Sequence, residues 1–207
     1  IQLVTSTTSP LGTVTRMVGT SSKVFRGTFN GQCHTLDVNI TSEAEFCGPF
    51  CYTYGATIEN LKVTGTINTS HKHTGGVVGR NGTGKLTLTN VLSSVTINSS
   101  YSGSGEQGGL VGYAINGEFK GCAFTGKLLG VSTTQSGGLL GWKSNTDDSN
   151  VAITDCLFAP TEITMSTSGG HTLAHGTVSI VTITNSYYTT QFGTAQGKQA
   201  YTLDMVD

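Results

Sequence analysis

A five-residue glycine motif that returns at nearly constant spacing is the strongest constraint on this chain. Gly75-Gly76-Val77-Val78-Gly79 recurs as Gly108-Gly109-Leu110-Val111-Gly112 and Gly137-Gly138-Leu139-Leu140-Gly141, then decays into Gly169-Gly170-His171-Thr172-Leu173. The intervals are 33, 29 and 32 residues. An earlier degenerate copy, Cys47-Gly48-Pro49-Phe50-Cys51, carries Cys47 and Cys51 where the better copies have glycine. Periods of this length belong to solenoids, propellers and arrays, in which each repeat buries its apolar face against its neighbours.

Downstream of each glycine pair comes a short alternating segment, and these segments align column by column. One column reads Ile58, Leu88, Phe119, Ile153, Ile183, with Leu36 as its expected first member. Two residues later stand Asn60, Asn90, Gly121, Asp155 and Asn185, and then Leu61, Val91, Cys122, Cys156 and Ser186. An always-apolar column beside an Asn/Asp/Gly column is the signature of stacked strands sharing a turn. The turn position keeps residues that tolerate left-handed backbone. A propeller blade needs about 40 to 50 residues, more than each repeat supplies. The expected fold is therefore all-β: a single-domain, right-handed parallel β-helix (β-solenoid) of about six coils. Residues 1–23 read as an N-terminal cap or linker, 24–190 as the repeats, and 191–207 as a C-terminal cap or tail.

Composition agrees with this reading. Thr, Ser, Asn and Gly make up 95 of the 207 residues, and charged residues only 11%. Such a chain is a poor helix former, while its Thr, Val and Ile suit a pleated surface. Hydrophobic content of 36% argues against disorder. A net charge of −1 leaves no basic surplus for a nucleic-acid partner. No apolar run approaches the ~20 residues of a membrane-spanning helix. The start, Ile1-Gln2-Leu3-Val4, has neither a basic n-region nor an apolar signal core and reads as that of a processed chain.

The glycine repeats, each followed by a strand ending in Asn-Leu, Asn-Val or Asp-Cys, resemble the GLUG-motif repeats of bacterial surface and secreted proteins. The segment from Phe25 to Leu36 is similar to the one that opens such arrays, and Asn185-Ser186-Tyr187-Tyr188 to their closing element. The resemblance covers roughly residues 24–190. It implies a β-helical repeat region of the kind found in adhesin-like chains and in the non-catalytic parts of immunoglobulin A protease-like proteins. It supplies no catalytic residues.

Direct search for chemistry returns little. Five cysteines leave at least one unpaired within the chain. Cys33, Cys47 and Cys51 are the disulfide candidates near the N-terminal coils, whereas Cys122 and Cys156 share a column and read as small buried hydrophobes. His71 with His73 and His171 with His175 would need to meet to hold zinc, and no accompanying ligand motif supports that, so no metal or cofactor is expected. Of twelve acidic residues, Glu59, Glu118, Asp155, Asp147 and Asp148 are the carboxylates available for a glycosidase pair. Each reads better as a solvated or turn residue.

The functional expectation is a non-catalytic extracellular or cell-surface module, acting in adhesion or as a rigid stalk. It would present loops to a host or matrix glycan or protein. Contacts are expected in residues 69–73, 99–107 and 142–148, with Trp142 and Tyr101 as stacking platforms for sugar. The structural positions are Gly76, Gly79, Gly109, Gly112, Gly138, Gly141, Asn60, Asn90, Asp155 and Asn185. Two alternatives are a filament subunit that self-associates through open solenoid ends and a polysaccharide-acting enzyme.

Overall fold

The computed structural model describes residues 12–144, 149–176 and 181–200. Every paired strand among them is parallel to its neighbour, and they contain no helix. The chain winds as a β-solenoid with four main strand-bearing faces per turn, and Gly103–Ser104 pairs with Thr133–Thr134 in a separate two-stranded sheet. The motif face is a four-stranded sheet of Phe50–Thr53, Val78–Asn81, Val111–Ala114 and Leu140–Lys143. The other three faces belong to one sheet of 13 strands that wraps round the remaining sides.

The first of these three faces carries the apolar column. Phe29, Ile58, Leu88, Phe119, Ile153 and Ile183 pair in register as six rungs, enclosing about five full turns where the strand count suggests six coils. The inner members from Ile58 to Ile153 are wholly buried. Burying one such side chain contributes roughly 1.5–3 kcal/mol. Leu36 does not belong to this column: it pairs with Val63 on the next face, and Phe29 is the first member. The cause is a bulge. Three residues separate Asn30 from His34 where Asn60 alone separates Glu59 from Leu61, and Gln32 and Cys33 absorb the surplus with φ of 50° and 62°. The last motif copy is shifted for a similar reason. Bridges from Gly137 to His171 and from Leu140 to Ala174 place it at residues 171–175, because the turn closed by Gly170 N–H on the Thr167 carbonyl lengthens the preceding corner.

The Asn/Asp/Gly column forms the corner between the first and second of these faces. Asn60, Asn90, Gly121, Asp155 and Asn185 all have positive φ, between 45° and 60°. Their side chains also connect along the axis. Asn60 donates to Asn30, Asn90 to Asn60 at 3.3 Å, and Asn185 to Asp155 at 2.7 Å. Asn90→Ala loses the short polar side chain that makes left-handed backbone tolerable and removes one rung-to-rung bond, so it is expected to cost about 1–2 kcal/mol. Asn90→Gly keeps the backbone freedom and should lose about half of that. Urea midpoints of the two variants check this ordering.

Chain segments lie across both ends. Val14 bridges Val38, Val18 bridges Phe50 and Phe25 bridges Thr53, which covers the first coil. At the other end Thr194 bridges His171 and Lys198–Gln199 pairs with Tyr187–Tyr188, with Phe192 fully buried beneath.

Candidate functional site

On the motif face, the residue that follows the last position of each motif, glycine in three copies and Cys51 in the first, stacks on its counterpart in the next coil. Tyr52, Arg80, Tyr113 and Trp142 pair in register and are all partly exposed. The next position turns into the core as Thr53, Asn81, Ala114 and Lys143. Asn81 there donates to three backbone carbonyls, those of Gly82, Gly84 and Asn116. Lys143 is wholly buried, its Nζ bonding the Ser144 carbonyl at 2.6 Å and Ser149 Oγ at 2.9 Å, and burial lowers its pKa.

A second left-handed corner precedes each motif, formed by His73, Glu106, Gln135 and Gly169 with φ of 61°, 51°, 53° and 65°. It carries the side chains that flank the ladder. The His73 ring stacks on Phe46 at 5.1 Å and meets Tyr113 edge-on at 5.2 Å. Phe46 in turn touches Tyr52 and Tyr113, at 5.5 and 5.6 Å. Two carboxylates aim at the imidazole: Glu106 Oε2 lies 3.2 Å from Nδ1, and Glu45 Oε1 3.7 Å from Nε2. Burial, then the Lys72 cation, His71 and Arg80, push the His73 pKa down to about 3, so the ring is neutral near pH 7. Burial raises the Glu106 carboxyl. At the far end Trp142 packs on His175 at 5.0 Å, and His175 on His171 at 5.2 Å.

Two of the anticipated contact loops meet. The Tyr101 ring lies 5.7 Å from that of His71, Gln107 Nε2 donates to the His71 carbonyl, and His73 N–H donates to the Gly105 carbonyl. Trp142 belongs to the other ring group, with His175, so the two expected platforms have different partners. Residues 145–148 of the third loop, including Asp147 and Asp148, lie outside the described residues.

The remaining candidates carry structural contacts. Glu59 accepts from Asn30 at 2.8 Å, Glu118 is ion-paired with Lys85, and Asp155 accepts from Asn185 in the turn column. Cys33, Cys47 and Cys51, the disulfide candidates, are free thiols, as are Cys122 and Cys156. Cys33 is exposed in the bulge, while Cys51 is buried within the motif-face strand Phe50–Thr53 and Cys47 is buried just ahead of it. Burial pushes the Cys47 thiol up to about 12 and that of Cys51 to about 11, which leaves almost no thiolate at neutral pH. Among the described residues no group of three or more His, Cys, Asp or Glu side chains is placed to hold a metal ion.

Phe46, Tyr52, Arg80 and Tyr113 are thus site residues not singled out from sequence, whereas His73 and Glu106 lie in two of the expected contact loops, and the sequence offers His73 and His175 individually only as metal ligands. For Tyr52, Arg80 and Tyr113 a signal existed: they share with Trp142 the place directly after the motif.

No protein-family model matches the chain, and no curated protein matches it. Among solved structures it is similar to one named as a putative immunoglobulin A1 protease from Bacteroides ovatus, at 16% sequence identity and a TM-score of 0.64. The match covers 88% of this chain and 63% of that one, so this chain spans less than two thirds of that protein's length. At that identity what the two share is a fold, and this chain is a parallel β-solenoid similar in fold to that Bacteroides protein.

Proposed function

We propose that this chain is a non-catalytic extracellular or cell-surface module of the GLUG-like adhesin type, which binds a glycan along its motif face. The observation that carries this reading is the register of Tyr52, Arg80, Tyr113 and Trp142, flanked by Phe46, His73 and His175. Rungs about 4.8 Å apart make a ladder of roughly 14 Å from first to last. Aromatic rings with a polar edge offer stacking surface to sugar rings and hydrogen bonds to hydroxyls. The high thiol pKa values and the carboxylates already engaged by Asn30 and Lys85 favour binding over catalysis.

A glycan array followed by calorimetry tests the reading. Trp142→Ala and Tyr113→Ala are each expected to weaken the best hit at least tenfold, with Tyr101→Ala weakening it less. A folded protein that binds no glycan, or one whose binding ignores both substitutions, would sink it. Segments lying across the first and last coils weigh against a head-to-tail filament. Light scattering over a concentration series should give the monomer mass.

A further inference from the structure

Arg80 is the one cation in the ladder, and its surroundings differ from those of an ordinary surface arginine. Its guanidinium carbon lies 5.3 Å from the Phe46 ring centre and 5.5 Å from that of Tyr113. Both rings hold the fork by cation–π contact. Among the described residues no hydrogen bond or ion pair engages its side chain. The two nearby carboxylates are turned to His73 instead, Glu106 at 3.2 Å and Glu45 at 3.7 Å. Lys72 adds a second cation close enough to act on both His73 and Glu106.

A guanidinium clamped by aromatic faces, with its N–H edge left unpaired, suits one kind of group. It matches a planar carboxylate through two parallel hydrogen bonds, and holding the fork in advance reduces the rotamer freedom lost on binding. Tyr113 and Trp142 on the next two rungs would then receive the sugar ring that bears the carboxylate. We propose that Arg80 is the anion anchor of the motif face and that its ligand is a carboxylate-bearing pyranose, a uronic or sialic acid residue. This rests on the glycan reading above and narrows it. One anchor accords with a chain of net charge −1, which excludes a dense polyanion but not a single acidic sugar.

The test compares each acid with a neutral counterpart on the whole chain. The probes are monomeric galacturonic acid against its methyl ester, and sialyllactose against lactose. We expect at least one acid to bind tenfold or more tighter than its counterpart, and which pair responds identifies the source of the carboxylate. Arg80→Gln should abolish that preference at an unchanged melting temperature, and Arg80→Lys, which keeps the charge without the fork, should retain part of it. Equal binding of acid and neutral forms, both weakened by Trp142→Ala, overturns the anchor and leaves the glycan reading standing. Absence of binding by all four probes also overturns the anchor, and the array of neutral glycans then decides the wider reading separately.

Discussion

Gly141→Ala is expected to destabilise the solenoid by at least about 4 kcal/mol, on the scale of a 15° bond-angle distortion. A Cβ at Gly141 would stand 2.6 Å from the Glu106 carbonyl carbon, closer still to its oxygen, and 2.7 Å from the Gly112 oxygen. All are backbone atoms. Glu106 sits at a left-handed corner, and the Gly112 strand is tied into the same sheet, so neither withdraws without breaking rung bonds. Gly112 is equivalent, with the His73 carbonyl against it, whereas a Cβ at Gly79 meets Cys47 N and Cys51 O at 2.9 Å. Cys51 and His175 hold the same place on the outer rungs, which confines the strict requirement to inner coils. For a chain of this length about 4 kcal/mol corresponds to roughly 8–16 °C. Gly27→Ala is the control, because its Cβ meets only the Phe25 ring at 3.6 Å and should change stability by less than about 0.5 kcal/mol. Melting curves separate the two cases. A Gly141→Ala variant melting within 2 °C of the parent would show that the corner yields.

Periodic features were legible because a solenoid repeats its environment: one apolar column, one turn column and one glycine motif each recur wherever the same surroundings recur. Leu36 was misplaced because a bulge breaks the period without leaving an apolar trace. Positive φ at Gln32 and Cys33 is not announced by Gly or Asn at either position. The corner formed by His73, Glu106 and Gln135 was hidden for the opposite reason. Left-handed backbone there is imposed by neighbouring coils rather than favoured by residue type, so a column of His, Glu and Gln looks like solvated loop. Lys143 could not be read as a core residue, since its burial depends on Ser149 and the Ser144 carbonyl closing over the amine. The ladder after the motif was visible in principle. Its members differ in chemistry, Tyr, Arg, Tyr and Trp, so it shows as a column only after the glycines are aligned.

The same buried corners make the protein acid-sensitive in a window that its histidines define. Burial and nearby cations hold His73 at about 3, and burial together with His171 holds His175 at about 4; His171 itself is lowered by burial. In the unfolded chain these rings titrate near 6.5. Below that pH the unfolded state binds more protons than the folded state, so stability is intact above about 6.5 and falls as the pH drops toward 4 and 3. Each fully depressed histidine contributes up to about 1.4 kcal/mol per pH unit. Opposing groups reduce the sum. Glu45 and Glu106 face His73 and favour its cation, and the raised Glu106 carboxyl takes up a proton on folding at low pH, which offsets part of the loss. A net loss on the order of 4 kcal/mol between pH 6.5 and pH 4 is expected, roughly 10 °C in melting temperature. His73→Asn isolates the largest contributor, because Asn accepts the left-handed backbone at φ 61° and does not titrate. The variant should be less stable at pH 7 through loss of the Phe46 stack, yet its stability should fall less steeply on acidification, by up to about 1.4 kcal/mol per pH unit. Denaturant titrations at half-unit steps of pH give the slope directly. An unchanged slope would mean that Glu106 and Glu45 offset the burial, so that His73 takes its proton at the same pH folded and unfolded, and a steeper fall in the variant would mean that the fold holds the ring as a cation.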